Sequence, residues 1–208
     1  MPVVAVDHPL IIHKMAILRD RETSTKKFRE IVEEITLLLT YEATRTMPLK
    51  SVEVDTPICR TTTRMLETGG ITIIPILRAG LGMLPGMLSI FPTARVVHLG
   101  VKRDEKTALP TTYYCNFPET LEGSTVLIID PMLATAGSMC AAVDIVKKGN
   151  PKKIKAICLI AAPEGKARMD ACHPDVEVYV GAMDERLNEK SYIVPGLGDA
   201  GDRMFGTL

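Results

Sequence analysis

Residues 126–138 read Val-Leu-Ile-Ile-Asp-Pro-Met-Leu-Ala-Thr-Ala-Gly-Ser, so a run of aliphatic residues passes directly into a small, hydroxylated turn. Four large aliphatic residues in succession are typical of a strand that is buried on both faces, as in a parallel sheet. Residues 139–147 then take up a helical period. Asp130 would therefore stand at the carboxyl end of a strand, where open α/β sheets bind their ligands.

The turn after Asp130 contains the parts of a phosphate-binding loop. Thr135 and Ser138 provide hydroxyl groups, and the helix that follows offers unpaired backbone N–H groups and the positive end of its dipole. An ordinary strand–turn–helix with a Ser or Thr cap has the same pattern. The loop by itself leaves both interpretations open.

The rest of the chain alternates strand-like and helix-like segments. Candidate strands lie at 71–76, 95–101, 125–130, 154–161 and 176–180, and candidate helices at 8–20, 24–45, 81–90, 137–148 and 164–172. This alternation predicts an α/β fold with a doubly wound, mostly parallel sheet, in a single domain covering 1–208. Residues 49–63 alternate polar and β-branched side chains and predict a hairpin arm outside the sheet. Residues 181–208 have little periodicity and predict an irregular C-terminal segment.

Composition excludes several classes of protein. The 208 residues are 46% hydrophobic, enough for a full core, and Lys+Arg and Asp+Glu each total 25, so no net charge attracts nucleic acid or a membrane. The N-terminus has no signal-peptide pattern, and the apolar runs are too short to span a bilayer. The five cysteines form no C-x-x-C pair and the four histidines have no metal-ligand spacing, so we expect reduced thiols and a cytoplasmic protein.

Three further segments favour an anionic, partly planar ligand. Arg78, in Leu77-Arg78-Ala79-Gly80, follows the strand at 71–76 and offers a guanidinium beside a bare backbone, which suits a phosphate group. Arg103 lies in a charged segment at 101–107 that could close as a flap. The glycine-rich stretch 192–203 frees main-chain donors and acceptors that could read a small heterocycle.

These motifs together carry a family resemblance. They are Ile76-Leu77-Arg78-Ala79-Gly80-Leu81-Gly82-Met83, Asp130-Pro131-Met132-Leu133-Ala134-Thr135, His173-Pro174-Asp175-Val176-Glu177 and Ile193-Val194-Pro195-Gly196-Leu197-Gly198-Asp199-Ala200-Gly201-Asp202-Arg203. On these residues the chain resembles the uracil phosphoribosyltransferases, over nearly its whole length. The C-terminal motif is the specific part, since other phosphoribosyltransferases share only the Thr-x-Gly-Ser loop.

The resemblance implies transfer of ribose 5-phosphate from 5-phospho-α-D-ribose 1-diphosphate (PRPP) to N1 of uracil, giving UMP and diphosphate in pyrimidine salvage. It implies that Arg78 and Arg103 contact the diphosphate, and that Asp199 lies on the PRPP side near the metal. Ile193, Gly198 and Ala200 would read uracil. The PRPP loop would comprise Asp130, Pro131, Met132, Leu133, Ala134, Thr135, Ala136, Gly137 and Ser138. Mg²⁺ would be held mainly by PRPP, with no protein ligand directly assigned, and GTP is a candidate allosteric activator.

The chain departs from the family pattern at Ala136, where many relatives carry glycine. If the loop needs a positive φ, we expect Gly137 to adopt it, since alanine there would be strained by roughly 1–2 kcal/mol. Pro131 stands where other phosphoribosyltransferases often have a second acid, although Asp-Pro is normal in the uracil branch.

Alternatives remain at this point. A basic run around a predicted helix end would suit an RNA-binding pyrimidine regulator on the same fold, or simply a solvated helix cap; it comprises Lys147, Lys148, Lys152, Lys153 and Lys155. The same chemistry could act on another base, such as a purine or orotate, and Arg203 is the cation near Ala200 that orotate would need. The arm at 49–63 would make a dimer contact in a homodimer or homotetramer.

Overall fold

The computed structural model describes residues 3–67, 69–103, 110–118 and 120–207, without the side chains of residues 102, 103 and 110. The strands are β1 (Val3–Ala5), β2 (Leu49–Asp55), β3 (Arg60–Leu66), β4 (Ile71–Leu77), β5 (Arg95–Val96), β6 (Leu99–Arg103), β7 (Pro110–Cys115), β8 (Thr125–Ile129), β9 (Met132–Leu133), β10 (Lys153–Ala161), β11 (Glu177–Met183), β12 (Arg186–Leu187) and β13 (Ile193–Val194). The helices are α1 (Pro9–Arg19), α2 (Thr25–Ala43), α3 (Leu84–Ile90), α4 (Gly137–Lys147), α5 (Pro163–Cys172) and α6 (Ala200–Phe205), with a 3-10 helix at Ala79–Met83.

The central sheet has the order β1-β11-β10-β8-β4-β6-β7, with β5 also paired to β4 and β9 to β10. All of its pairings are parallel except that of β7, which runs antiparallel to β6. Every residue of β8 is buried, as the aliphatic run predicts. Ile129 at its end is level with Pro75 in β4 and Ile157 in β10. The loops that follow β4 and β8 therefore leave the same edge of the sheet.

Two apolar clusters cover the two faces of this sheet. On one face, α1, α2, α3 and α6 pack on alternate strand residues that include Ile73, Leu127 and Ile157. On the other, α4 and α5 pack on the intervening residues, which include Ile74 and Ile128. This is the doubly wound arrangement that the sequence predicts.

The predicted hairpin arm is confirmed. Strands β2 and β3 pair antiparallel from Leu49↔Leu66 to Asp55↔Arg60 and form a sheet of their own. Ser24 caps α2, because its side chain accepts a hydrogen bond from the Lys27 N–H.

Other boundaries differ from the prediction. The expected strand at 95–101 is two strands, β5 and β6, and the helix at 81–90 starts as the 3-10 helix. The C-terminal segment is less irregular than predicted, since it continues β11 to Met183 and contains the β12–β13 hairpin and α6. These elements have two to six residues, too few for a hydrophobic period to be detected. Within the described ranges, no helix is both long and apolar enough to cross a membrane.

Candidate functional site

Backbone hydrogen bonds tie the segment between β8 and α4 to strand β10 and the residue after it. The Pro131 carbonyl accepts hydrogen bonds from the N–H groups of Leu159 (3.0 Å) and Ile160 (3.1 Å), and the Leu133 carbonyl accepts one from Ala162 at 3.0 Å. Residues 132 and 133 pair with β10 as the short strand β9. The backbone of residues 131–133 is thus tied to the sheet, and only residues 134–136 are left to shape the turn before α4.

Ala136 is the residue that reverses the chain. It has φ 58° and ψ 10°, in the left-handed region, and the prediction that Gly137 would take this conformation is wrong. The reversal falls at the N-cap of α4, so Gly137 is already the first residue of the helix. Left-handed alanine costs roughly 1–2 kcal/mol. Ala136 is only 5% exposed and belongs to a core cluster, so burial of its methyl group offsets part of that cost.

Helix α4 begins without a side-chain cap. The side chains of His8, Ser24 and Asp199 cap α1, α2 and α6. Helices α3 and α5 also lack a side-chain cap, but each has a proline in its first turn, which removes one N–H donor. Helix α4 has neither a side-chain cap nor a proline there. Within the described part of the chain, the N–H groups of residues 137–139 have no acceptor, and the hydroxyls of residues 135 and 138 have no partner. Unpaired N–H groups at a helix start are what an anion binds.

Asp130 lies at the entrance to this loop. Its carboxyl group is largely surrounded by protein although the residue keeps some exposure, and this desolvation raises its pKa to about 7; a hydrogen bond from the Met132 N–H opposes the rise. It takes part in none of the ion pairs among the described residues. A desolvated carboxyl group without a cationic partner, near a helix start with unpaired N–H groups, is typical of a functional site.

The turn that carries Arg78 contacts the end of β8. An added Cβ atom at Gly80 would lie 2.6 Å from the Ile129 carbonyl oxygen, so only glycine allows the 3-10 helix to approach residue 129 this closely. The Leu77–Arg78 peptide bond is cis. Arg78 itself is exposed, at the same sheet edge as Asp130.

A partly buried ion pair shapes the C-terminal segment. The Asp184 carboxylate pairs with both terminal nitrogens of Arg19 and accepts the Gly196 N–H at 2.9 Å, while Arg19 also donates to the Gly196 carbonyl at 2.7 Å. Gly196 has φ +67°, and an added Cβ atom would lie 2.1 Å from the Ile193 carbonyl oxygen. The Val194–Pro195 peptide bond is cis.

Helix α6 brings the C-terminal segment to the Arg78 turn. Gly201 lies near Ala79, and the Met204 side chain packs against Gly82. Asp199 is the N-cap of this helix, because its Oδ1 accepts the Asp202 N–H at 2.9 Å. The three loops predicted from the sequence therefore meet at one sheet edge: the Arg78 turn touches the end of β8, and α6 touches the Arg78 turn.

Two predicted features cannot be compared with the structure. The Arg103 side chain and residues 104–107 of the flap proposed at 101–107 lie outside the described residues. The main chain of Arg103 forms the end of β6. Among the residues that are described, no group of three or more His, Cys, Asp or Glu side chains could hold a metal ion.

Arg203 has a structural role. It is 8% exposed and donates to the carbonyl oxygens of Leu18 (2.7 Å), Leu197 (2.8 Å) and Asp20 (2.5 Å), with its guanidinium over the Phe28 ring. Burial lowers its pKa. These contacts leave it poorly placed to bind the carboxylate of orotate.

Three of the five lysines in the basic run are engaged within the protein, while Lys148 and Lys152 are exposed. Lys147 pairs with Asp175 at 2.8 Å, and Glu177 pairs with Lys153 at 2.8 Å and with Lys155 at 2.9 Å. The two lysines lower the pKa of Glu177 to about 2 against its desolvation. Lys155 is 3% exposed and also donates to the Ala43 carbonyl, so this surface gives no support to an RNA-binding role.

Sequence patterns did not identify Asp184 or Arg168 as site residues. Asp184 sits just past β11, and its partner Arg19 is 165 positions away, so no local signal reveals the pair. Arg168 lies on α5, and its Nη1 donates to the Thr135 carbonyl at 3.4 Å. A lone basic residue on an exposed helix face gives no pattern that would single it out.

Comparison with known proteins defines first the class and then the family. The fold is that of the type I phosphoribosyltransferases: a hypoxanthine phosphoribosyltransferase from Staphylococcus aureus, 14% identical, superposes with a TM-score of 0.52 over 76% of each chain. A solved structure from Aquifex aeolicus is far more similar, with 44% identity and a TM-score of 0.92 over 98% of this chain and 97% of that one. The sequence model of the uracil phosphoribosyltransferase family matches residues 5–207, and the chain belongs to that family.

Two relatives align with this chain over nearly the full length of both proteins. Uracil phosphoribosyltransferase from Symbiobacterium thermophilum is 55% identical over 205 residues, covering 99% of this chain and 98% of the relative. The one from Clostridium novyi is 54% identical over 206 residues, with the same coverage.

Proposed function

We propose that the protein transfers the 5-phosphoribosyl group of PRPP to N1 of uracil, releasing UMP and diphosphate in pyrimidine salvage. The observation that carries this proposal is the uncapped start of α4 directly after Asp130, in a chain of the uracil phosphoribosyltransferase family. A phosphorylated sugar needs both an anion cradle and a nearby acceptor for its hydroxyls. Residues 130–138 supply the two within one turn.

The 5-phosphate would lie on residues 134–138. The unpaired N–H groups of Gly137, Ser138 and Met139 point out of the first turn of α4, and the Thr135 and Ser138 hydroxyls flank them. Backbone N–H groups and a helix dipole favour a dianion at this point. Pro131, Met132 and Leu133 hold the loop to the sheet through their backbone.

Asp130 would accept hydrogen bonds from the ribose hydroxyls. Desolvation raises the pKa of this carboxyl group to about 7. Hydroxyl donors stabilise the ionised carboxylate, so binding of the sugar would lower this pKa.

Uracil would be read by the main chain of Ile193, Gly198 and Ala200. The Ala200 N–H, at the start of α6, has no acceptor within the described residues, and Gly198 is exposed with φ +79°. The imide edge of uracil needs donors and acceptors in alternation, and a main chain supplies both. The Arg19–Asp184 pair would hold this segment in place.

Arg78 and Arg103 would contact the leaving diphosphate, and Asp199 would lie on the same side of the site as the diphosphate. Asp199 is exposed and uses Oδ1 as a helix cap, and its Oδ2 accepts none of the hydrogen bonds found among the described residues. Mg²⁺ would be held mainly by the oxygens of PRPP, since the described residues offer no ligand cluster for it, and it would neutralise diphosphate charge.

The reaction then needs no catalytic dyad. Cleavage of the C1–diphosphate bond develops positive charge on the sugar and negative charge on the leaving group, and fixed guanidinium groups stabilise the second. Holding uracil N1 in line with C1 supplies a proximity term that can reach ~7–11 kcal/mol.

A homodimer or homotetramer, GTP activation and a cytoplasmic location belong to the same proposal. The hairpin arm contacts little else in the monomer, and Ile58 at its tip is 95% exposed, with Met65 57% exposed. Apolar side chains on a free hairpin favour a second subunit as their cover.

The test is an assay of uracil, uridine, orotate and hypoxanthine with PRPP and Mg²⁺, with and without GTP. We expect UMP and diphosphate from uracil alone. Equal or faster reaction with another base would contradict the choice of substrate. Arg78→Ala should lower turnover by about 10²–10³ while the protein stays folded, because it removes one charge contact to the leaving group.

A further inference from the structure

Arg168 lies beside the phosphate loop but outside every motif that carries the family resemblance. It stands on α5, one turn after Gly165, whose backbone rests on the carbonyl groups of Leu133 and Ala134. Residues 165 and 168 share a helix face, so the close contact at Gly165 aims Arg168 along the loop.

Two distances locate its guanidinium. Nη1 lies 3.4 Å from the Thr135 carbonyl oxygen and 3.6 Å from the point that a Cβ atom on Gly137 would occupy. The Thr135 hydroxyl oxygen lies 3.7 Å from that same point. The guanidinium and the hydroxyl therefore flank the first residue of α4 together.

The charge of Arg168 is not neutralised locally. Arg168 appears in none of the ion pairs found within the described ranges, whereas Lys166, two residues earlier on α5, pairs with Asp170 at 2.5 Å. Residues 130–138 contain no basic side chain. A bound phosphate dianion would otherwise meet only neutral donors and the helix dipole.

On these grounds, and resting on the proposed function, we infer that Arg168 is a phosphate-binding residue of this chain: its guanidinium contacts the 5-phosphate of PRPP and UMP. The single bond to the Thr135 carbonyl uses one of its five N–H donors. The remaining donors suit a phosphate monoester, which accepts a planar, forked donor well.

The test compares Arg168→Gln and Arg168→Lys with wild-type protein in calorimetric binding of UMP and of uridine, at low and high salt. Arg168→Gln should weaken UMP binding about tenfold, as expected for one charge-assisted contact, and leave uridine binding unchanged. It should also flatten the salt dependence of UMP binding, because a charge pair is screened by salt. Arg168→Lys should recover part of the affinity. The KM for PRPP should rise with the same ranking and kcat should change little.

Lys166→Gln is the matched control, since it removes the same charge from the same helix but from a paired ammonium. It should bind UMP like wild type. Unchanged UMP binding in Arg168→Gln, an equal loss of UMP and uridine binding, or an equal effect of Lys166→Gln would each overturn the inference. Turnover of uracil by wild-type protein tests the proposed function separately: if that fails while the UMP and uridine results hold, the phosphate contact stands without the reaction.

Discussion

Gly165 and Ala134 are in direct backbone contact, where helix α5 packs against the turn that precedes α4. A Cβ atom added to Gly165 would lie 2.4 Å from the Ala134 carbonyl oxygen and 2.6 Å from that of Leu133. The backbone of helix α5 thus packs directly against the backbone of this loop, with no side chain between them. The position of the loop depends on residue 165 having no side chain.

Gly165→Ala should therefore displace the loop. We expect a loss of about 1–3 kcal/mol in the free energy of unfolding, typical of overpacking, and a rise in the KM for PRPP. Gly149→Ala is the control, since the atoms nearest to its added Cβ atom belong to the Leu121 side chain, at 2.9–3.2 Å, and not to backbone. That variant should lose stability without a change in KM. Equal KM values for wild type and Gly165→Ala would show that the contact does not set the loop.

Ala136→Gly should not destabilise the protein, unlike most alanine-to-glycine changes. Relief of the left-handed strain, roughly 1–2 kcal/mol, about balances the greater entropy of glycine in the unfolded chain, about 0.4–1 kcal/mol, and the lost burial of one methyl group, about 0.8 kcal/mol. Ala141→Gly, within the same helix α4, should lose about 1 kcal/mol because its backbone is right-handed. The check is urea unfolding of both variants. A loss at residue 136 as large as that at residue 141 would refute the strain.

Asp130→Asn should separate stability from activity. Burial raises the pKa of Asp130 from 3.8 to about 7 in the folded protein, so the folded state holds a proton that the unfolded chain releases. Stability therefore falls as pH rises through this interval, and the penalty persists above it. The melting temperature of the variant should match that of wild type near pH 3.8, at the lower end of this interval, and exceed it at pH 8. Its turnover should fall by about 10²-fold or more.

Asp7→Asn, at an exposed position before α1, is the control for that pH trend. It should give no melting-temperature difference that grows with pH. If Asp130→Asn behaves in the same way, the carboxyl group is not desolvated as the structure indicates.

Asp184→Asn should impair uracil binding more than PRPP binding. It removes the charge that holds Arg19 and the Gly196 turn, and breaking such a pair costs up to about 3–5 kcal/mol. The KM for uracil should rise with little change in that for PRPP. Glu42→Gln, which breaks the exposed pair with Arg45, should leave both KM values unchanged. A parallel rise in both KM values for Asp184→Asn would mean a general loss of structure.

Long, periodic segments made most of the fold predictable. The apolar stripe of α2 and the aliphatic run of β8 identify their elements because burial imposes a period on many residues. Short elements had no such signal: β1 has three residues and gains its place by pairing with β11. Its formation depends on a strand more than 170 positions later, which a local pattern cannot reveal.

The candidate site shows the same difference between local sequence patterns and contacts between distant segments. Asp130 and the hydroxylated turn were predictable because their neighbours fix them in sequence. Ala136 was not, since glycine is the usual left-handed residue and Gly137 is adjacent. Asp184 and Arg168 act on residues brought near only by folding. Contacts between distant segments therefore escaped the sequence analysis, although they hold two of the three loops.

The central claim, that three loops form one site for UMP, is tested most directly by a crystal structure of the protein with UMP bound. We predict the phosphate at the N–H groups of residues 137–139, the ribose hydroxyls at Asp130, and uracil within hydrogen-bond distance of the main chain at Ile193, Gly198 and Ala200. UMP bound away from the start of α4, or a uracil ring without contact to residues 193–200, would contradict it.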